Sequence, residues 1–374
     1  MYKEPLPPVK SLYDSLPVLE RENHELDRKE RLLAAEGPLM AWYKRSARIL
    51  PWRDDPKPYR VWISEIMLQQ TRVEAVKPYF ERFMAALPQV ADLAHVPEEQ
   101  LLKLWEGLGY YNRARNLKKA AQLMVEEHGG EVPASYEALL SLPGIGSYTA
   151  GAVASIAYGI PVPAVDGNVL RVISRVLADG SDITRQAVKR KMEEEIGAVI
   201  PAKRPGDYNQ ALIEIGAIVC IPNGVPKCEE CPLGSICLAK RRGLIQELPY
   251  KPPKKARRLE DRTVLLLEYE ARIAIRKRPD SGLLASLYEF PNLEGHIKRE
   301  ELVSALGIGP EAVESTEDLP ASKHIFSHVE WNMIGYRVRL RQKIDSPYLF
   351  AEKRELRERY PLPNAFAAYT KQIK

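Results

Sequence analysis

A basic segment with three prolines divides the 374-residue sequence into two parts with different hydrophobic patterns. Residues 240–258 contain eight Lys or Arg residues and one acidic residue, Glu247. Before this segment apolar residues recur at helical spacing, whereas after it short runs alternate as half-buried strands do. This change predicts two domains joined by a stiff linker. The predicted parts are an N-terminal extension, a helical domain, the linker and an α+β domain, at residues 1–30, 31–239, 240–259 and 260–374.

Glycine and proline pairs predict the breaks between helices of the first domain. The four pairs are Gly37-Pro38, Gly129-Gly130, Pro143-Gly144 and Pro205-Gly206. In the second domain the predicted strands are 264–269 and 272–275, which flank a turn at Glu270-Ala271, and 336–340, with a helix at 298–306.

The composition indicates a soluble globular protein that a polyanion could bind. Apolar residues make up 45% of the chain and the formal net charge is +5, so the chain is only mildly basic. The sequence shows neither an apolar run of about 18 residues nor the apolar core of a signal peptide at its start. We therefore expect a monomeric cytoplasmic protein, associated with the nucleoid if the source is bacterial.

All four cysteines of the chain lie in one short segment. Cys220, Cys228, Cys231 and Cys237 fall within 18 residues. A secreted disulfide scaffold would spread its cysteines, whereas this cluster is typical of a site with four soft donors. The spacing predicts a bound metal centre and leaves both zinc and an iron–sulfur cluster open.

The segment LPGIGSYTAG, residues 142–151, predicts a tight turn that leads into a helix near Ser147. A Gly-x-Gly turn before a helix leaves backbone N–H groups unpaired at the positive end of the helix dipole, where a phosphate can bind. A packing turn between two helices explains the same residues equally well.

Two acidic residues have the features of catalytic carboxyl groups. Glu65 shares a helical stripe with Val61 and Leu68, so its carboxyl group could retain a proton and act as a general acid, although a solvated position is equally compatible. Asp166 precedes a predicted helix and, taken alone, is best interpreted as its cap. One protonated and one ionised carboxyl group in the same cleft would suit cleavage of a glycosidic bond.

Residues 105–115, WEGLGYYNRAR, combine aromatic and apolar side chains with arginines at a glycine-broken turn. Such side chains can wedge between DNA bases while arginines contact phosphates. Packing in the core is the alternative, and it explains Trp105 better than Tyr110.

Together these motifs resemble the MutY-type adenine DNA glycosylases of the endonuclease III helix-hairpin-helix superfamily. The resemblance extends over residues 39–242. Besides the motifs described above, it rests on four segments in this range: LPWR, VWISEIMLQQTRV, AVDGNVLRV and NQALIEIGAIVC, at residues 50–53, 61–73, 164–172 and 209–220. It implies an all-α helix-hairpin-helix domain with an iron–sulfur loop, followed by an α+β Nudix-like domain. The first cysteine gap departs from the family pattern, with seven residues instead of six.

The resemblance implies an enzyme that flips adenine out of mispairs with 8-oxoguanine or G and hydrolyses its glycosidic bond, leaving an abasic site. Glu65 would protonate adenine and Asp166 would stabilise the positively charged sugar. Tyr148 occupies the position of lysine in lyase-competent relatives, and a phenol cannot form a Schiff base, so no strong lyase activity is expected.

The resemblance also implies binding residues for each part of the substrate and a [4Fe–4S] cluster on the four cysteines. The adenine pocket would consist of Arg48, Leu50, Trp52, Arg53 and Gln210. The residues implied in binding double-stranded DNA are Gln70, Thr71, Leu108, Tyr110, Gly144, Gly146 and Asn168.

The C-terminal part resembles the Nudix-like module of the same family in residues 282–291, GLLASLYEFP, but lacks the Glu-rich pyrophosphatase box. This departure implies a recognition module in place of a hydrolase. The segment Phe326-Ser327-His328 matches the family's loop that contacts 8-oxoguanine, although the same three residues alone would be an ordinary strand end.

Two other functions remain open at this point. The chain could be another base-specific glycosylase of the superfamily, although the missing lysine at 148 and the second domain argue against it. It could also be a non-catalytic iron–sulfur DNA-binding protein, which would not need Glu65 and Asp166 together.

Overall fold

The structure, a computed structural model, describes residues 26–253 and 256–373 of the chain. Most of the predicted N-terminal extension therefore lies outside the described residues. The chain forms two compact units. Of the described residues, the first, the helical unit, comprises 26–94 and 119–253, and the second, the sheet unit, comprises 95–118 and 256–373.

Helices account for the regular structure described before residue 243. They are α1 (Arg28–Ser46), α2 (Pro51–Asp54), α3 (Pro58–Leu68), α4 (Val73–Ala86), α5 (Val90–His95), α6 (Glu98–Leu104), α7 (Asn112–Glu127), α8 (Tyr136–Ser141), α9 (Ser147–Tyr158), α10 (Gly167–Val176), α11 (Gln186–Gly197), α12 (Pro205–Ile218) and α13 (Leu238–Arg242). No helix among the described residues is long and apolar enough to cross a membrane.

The first helix corrects one prediction from the sequence. A capping box between Asp27 and Glu30 starts α1, and the helix then continues through Gly37-Pro38, where a break was expected. A proline inside a helix removes one backbone hydrogen bond. Here the apolar face of α1 is buried, with Leu32 and Leu39 at most 1% exposed, and this packing outweighs the local preference of the two residues.

A shared hydrophobic core holds α1, α10, α11 and α12 together. Its buried members include Leu39, Val169, Ile196 and Ile215. Helix α9 contacts both α3 and α12, two helices of the helical unit that are far apart in sequence. These contacts hold α9 in place.

The sheet unit contains a seven-stranded mixed sheet. Its elements are β1 (Arg258–Tyr269), β2 (Arg272–Lys277), β3 (Tyr288–Glu289), β4 (Asn292–Glu294), α14 (Leu302–Leu306), β5 (Val313–Ile325), β6 (Val329–Leu340), β7 (Leu349–Glu352), α15 (Lys353–Glu358) and α16 (Ala367–Thr370), with short 3₁₀ helices at 299–301, 310–312, 364–366 and 371–373. The strand order is β3-β2-β1-β6-β5, with β4 also paired to β1 and β7 to β2.

The central strand β1 lies parallel to β6 and is covered on both faces. Val264 and Leu266 point into one hydrophobic cluster, and the alternate residues Leu265 and Leu267 point into another. The predicted turn at Glu270-Ala271 is confirmed, since β1 and β2 pair as an antiparallel hairpin around it. The predicted strand at 336–340 lies within β6, and the predicted helix at 298–306 is a 3₁₀ turn followed by α14.

Within the sheet unit, the segment 95–118 is anchored on the C-terminal residues. Lys103 Nζ donates to the carbonyl oxygens of Leu356 and Tyr360, each at 3.2 Å. In return, the backbone N–H of Leu362 donates to Glu106 Oε1 at 2.8 Å.

Candidate active site

A buried carboxyl group and a phenol form the centre of the candidate site. Glu65 lies in the last two turns of α3 and is 7% exposed, so the alternative of a solvated residue is wrong. Tyr148 Oη donates to Glu65 Oε2 at 2.5 Å. Burial raises the pKa of Glu65 to about 7, although the Tyr148 hydrogen bond and the charge of Arg53 act in the opposite direction. Glu65 can therefore hold a proton near neutral pH and release it to a bound group.

The turn before α9 positions Tyr148 in the first turn of that helix. Gly144 has φ of 78°, a left-handed conformation that favours glycine, and Gly146 is the N-cap residue. Ile145, 5% exposed, anchors the turn in the core, whereas both glycines are exposed. No side chain among the described residues caps this helix, so the first backbone N–H groups of α9 are open to a ligand.

Asp166 is the N-cap of α10, as its position in the sequence predicts. Its Oδ1 accepts hydrogen bonds from the backbone N–H groups of Asn168 and Val169 at 2.9 and 2.8 Å. Its Oδ2 accepts from Asn168 Nδ2 at 2.7 Å. Burial raises the pKa of Asp166 while these donors lower it, and its negative charge in turn raises the pKa of Glu65. Asp166 is thus both the cap of α10 and a residue of the candidate site.

A close helix contact fixes the Asn168 side chain. A Cβ atom at Gly216 of α12 would lie 2.6 Å from the Cβ atom of Asn168, so only glycine fits here without a shift. On its other side, Asn168 Oδ1 accepts from Arg171 at 2.9 Å. The side chain that donates to Asp166 is therefore held by α10 and α12 together.

The residues expected to form an adenine pocket lie on α2, its flanks and α12. Leu50 and Trp52 are 2% and 5% exposed, and the Trp52 ring packs edge-on against Phe80 with centroids 5.4 Å apart. Arg48, Arg53 and Gln210 are half-buried.

Glu214 is a site residue that the sequence reasoning missed. It lies one turn after Gln210 on α12, is 0% exposed, and binds both pocket arginines. Arg48 donates from Nε and Nη2 at 2.8 Å each, and Arg53 Nη2 donates at 2.9 Å. Although burial opposes ionisation, these donors lower the pKa of Glu214 to about 2. An acidic residue inside the largely apolar segment 209–220 was the available signal.

The four cysteines line one pocket at the end of α12 and the start of α13. The backbone N–H of Lys227 donates to the Val219 carbonyl at 3.0 Å, which closes the seven-residue gap and brings Cys228 back beside Cys220. Arg175 Nη1 donates to Cys220 Sγ at 3.2 Å. Among the described residues, no three His, Cys, Asp or Glu side chains are placed to hold one metal ion.

Four thiol side chains that line one pocket are a donor set that fits a metal centre. Burial and, to a smaller extent, the charges of the neighbouring cysteines raise the pKa of Cys231 to about 12. Four half-buried thiolates would repel one another without bound metal, so the donor set is suited to a positively charged centre.

Two of the expected DNA-binding residues have strained backbones. Gln70 and Tyr110 have φ of 58° and 48°, a region that residues other than glycine rarely adopt. Such strain often occurs at functional turns. Thr71 follows Gln70 at the end of α3 and is half-buried. Leu108 is 6% exposed, so in this conformation its side chain packs in the interior.

Within the sheet unit, Tyr110 contacts the segment 326–328. The Tyr110 and Ser327 hydroxyl groups lie 3.2 Å apart, at hydrogen-bond distance, across 217 positions of sequence. Ser327 and His328 are exposed between β5 and β6. Phe326 is anchored edge-on against the Trp331 ring, with centroids 5.0 Å apart.

Comparison with known proteins agrees with this geometry. Residues 63–198 match the model of the HhH-GPD superfamily base excision DNA repair proteins, and residues 262–372 match the NUDIX domain. The adenine DNA glycosylase of Mus musculus is 37% identical over 371 residues, which cover 83% of this chain and 71% of that protein. The chain belongs to the adenine DNA glycosylase family.

Other comparisons extend the same relationship. The adenine DNA glycosylase of Buchnera aphidicola subsp. Baizongia pistaciae is 34% identical over 78% of this chain and 82% of its own length. Among solved structures, a thermostable thymine-DNA glycosylase has a TM-score of 0.51 at 29% identity and covers 57% of this chain and 97% of its own. An endonuclease III–DNA complex has a TM-score of 0.50 at 26% identity and covers 59% and 99%. This member of the adenine DNA glycosylase family is thus a base-excision-repair enzyme with a helical glycosylase fold and a Nudix-like sheet domain.

Proposed function

We propose that this enzyme removes adenine from mispairs with 8-oxoguanine or G in double-stranded DNA and leaves an abasic site. The observation that carries the proposal is Glu65, a buried acid whose pKa is raised to about 7 and which lies near the charge of Asp166. Hydrolysis of a glycosidic bond commonly uses two carboxyl groups, one that donates a proton and one that stabilises positive charge, and of these two only Asp166 accepts several N–H hydrogen bonds.

In the proposed reaction, adenine is flipped out of the duplex and its ring nitrogen N7 receives the Glu65 proton. The C1′–N9 bond then breaks, and its electron pair leaves with the neutral base. Asp166, whose carboxylate accepts three N–H hydrogen bonds that favour its ionised form against burial, stabilises the positive charge on the sugar. Water adds to C1′, and its proton returns to Glu65.

The reaction is proposed to stop at the abasic site because the side chain at position 148 is a phenol. Strand cleavage by a lyase needs an amine that attacks C1′ and forms a Schiff base. The Tyr148 hydroxyl group is instead hydrogen-bonded to Glu65 at 2.5 Å. Its role is therefore to hold the acid in place.

The proposed base pocket and the proposed phosphate-binding turn both belong to the helical unit. Arg48, Leu50, Trp52, Arg53 and Gln210 would surround the flipped adenine, with Trp52 and Leu50 as the apolar part and the arginines at the polar edge. The open N–H groups of α9 behind Gly144 and Gly146 would bind a DNA phosphate without reading sequence.

Four cysteines, Cys220, Cys228, Cys231 and Cys237, would hold a [4Fe–4S] cluster. When bound, such a cluster would tie the end of α12 to the start of α13. The protein's iron content and its visible absorbance test this assignment. Zinc in place of iron, with no visible band, would contradict it.

The exposed segment Phe326-Ser327-His328 would contact the base opposite adenine, with Tyr110 and Gln70 wedged into the stack. Ser327 would supply the polar contact, since its hydroxyl group is exposed beside Tyr110. Ser327→Ala should reduce the preference for 8-oxoguanine:A over G:A, whereas Ser315→Ala, at the opposite end of β5, should not. An unchanged preference ratio in Ser327→Ala would contradict this role.

A duplex cleavage assay tests the proposed function as a whole. The substrates are A opposite 8-oxoguanine, A opposite G, and T opposite G, and alkali converts abasic sites to breaks. We expect excision from the two adenine mispairs only, and its loss in Glu65→Gln with duplex binding retained. Excision of thymine would indicate another glycosylase of the superfamily, and binding without excision would indicate a non-catalytic protein.

A further inference from the structure

We propose that Glu214 is a positioning residue of the adenine pocket, which fixes Arg48 and Arg53 and shields Glu65 from the charge of Arg53. The inference rests on the proposed function, because it concerns the pocket and the acid that the reaction uses. It assigns a role to a residue that lies outside the catalytic pair.

The first support is the completeness of the hydrogen bonding around Glu214. The carboxylate is fully buried, and its Oε1 atom accepts from both the backbone N–H and Nε of Arg48, at 2.9 and 2.8 Å. Its Oε2 atom accepts from Arg48 Nη2 at 2.8 Å and Arg53 Nη2 at 2.9 Å. A bidentate pair of this kind fixes the plane of a guanidinium group.

The second support is the direction in which the arginines are held. Arg53 Nη1 donates to the Arg48 carbonyl at 3.1 Å, so the two residues and Glu214 form one closed network around the short helix α2. Trp52, which lies between them in sequence, is buried by the same helix. The network therefore fixes both the polar and the apolar edges of the proposed pocket.

The third support is electrostatic. The groups that act on Glu65 are Tyr148 on α9, Asp166 at the start of α10 and Arg53 on α2. Arg53 favours the ionised form of Glu65, which cannot donate a proton. Because Glu214 neutralises Arg53 at a contact of 2.9 Å, it limits this effect and keeps Glu65 available as an acid.

The test is the pH profile of single-turnover adenine excision by Glu214→Gln, with Glu214→Asp as the conservative variant. Glutamine keeps the shape but removes the charge, so Glu65 should ionise at lower pH. We expect the alkaline limb to move down by about half a pH unit or more, which lowers the rate on that limb roughly threefold relative to the plateau. Glu214→Asp should restore at least part of the shift. A residue with only a structural role would lower the plateau and leave the limb in place.

The control is Asp207→Asn, which removes one negative charge from the same helix at a position where Asp207 binds Arg204 at the surface. It should leave the profile unchanged. If wild-type enzyme does not excise adenine, the proposed function fails. If the wild type excises adenine and the alkaline limb of the Glu214→Gln pH profile coincides with that of the wild type, only the role of Glu214 is refuted. Where Glu214→Gln proves too unstable for kinetics, Glu214→Asp carries the test: an altered limb supports the role, and a wild-type limb with a lowered plateau refutes it.

Discussion

Replacing Tyr148 by phenylalanine should make excision less sensitive to alkaline pH. In the wild type, burial raises the pKa of Glu65 to about 7, and the hydrogen bond from Tyr148 counteracts part of this rise. The phenol donates to the carboxylate at 2.5 Å, so it favours the ionised form. Phenylalanine removes the donor and leaves the burial, and the pKa of Glu65 should rise further.

The magnitude follows from the strength of the lost bond. A hydrogen bond to a charged group contributes about 1.5–3 kcal/mol, and part of this is retained by a neutral acid, which leaves a pKa change of about one unit. With a pKa of about 7, Glu65 is only about 3% protonated at pH ~8.5. A pKa about one unit higher gives about 24%, so the variant should retain roughly eight times more of its plateau rate there.

The assay is single-turnover excision from an 8-oxoguanine:A duplex with enzyme in excess, between about pH 5.5 and 9.5. The matched control is Tyr158→Phe, which also removes a phenol from α9, one that bonds the Val132 carbonyl and not Glu65. Its profile should match the wild type. The reasoning would be refuted if the alkaline limb of the Tyr148→Phe pH profile stays in place or moves to lower pH. It would also be refuted if the wild-type excision rate does not fall above neutral pH.

Three further predictions follow from the same site. Glu65→Gln should abolish excision but stabilise the fold at high pH: burial raises the pKa of Glu65 from 4.5 to about 7, so the wild type loses roughly 3 kcal/mol of stability as pH rises from about 4.5 to 7, and this loss persists above pH 7. Thermal unfolding of the variant and the wild type at about pH 4.5 and 8 checks this against the exposed Glu126→Gln, and a difference between variant and wild type that is the same at both pH values would contradict it. Tyr148→Lys should gain some strand cleavage, seen as a borohydride-trapped DNA adduct, and no adduct would weaken the account of position 148. Gly216→Ala, whose Cβ would lie 2.6 Å from that of Asn168, should lose about 1–3 kcal/mol of stability and much of the excision rate, whereas Gly197→Ala, with 3.7 Å to its neighbour, should be tolerated.

Local signals in the sequence predicted the helix starts of the candidate site well. Asp166 caps α10, and the turn at residues 144–146 leads into α9 at Ser147, as expected. These features depend on the backbone of a few adjacent residues, so short-range rules suffice for them. The same rules failed at Gly37-Pro38, because the buried face of α1 decides the conformation there.

Short-range sequence rules could not predict the contacts between residues that are distant in sequence. The Tyr110–Ser327 contact joins residues 217 positions apart, and the four hydrogen bonds between Glu214 and the two arginines join residues 161 or 166 positions apart. A sequence shows that Glu214 is an acid in an apolar helix, but it does not show which cation reaches it. Resemblance to a family supplied the proposed members of the pocket, and the structure shows that Glu214 binds two of them, Arg48 and Arg53.

The site contains three acidic residues, and the structure gives each a different environment. Glu65 is buried against a single phenol, so its neutral form is favoured and it can donate a proton. Asp166 lies at the N-terminus of α10, where backbone N–H groups and the helix dipole favour its charge, while burial raises its pKa overall. Glu214 is buried but binds two arginines, so it remains ionised. The proposed roles of acid, stabilising anion and counter-ion thus fall to the same chemical group, because burial and the donors around each carboxyl group together set its pKa.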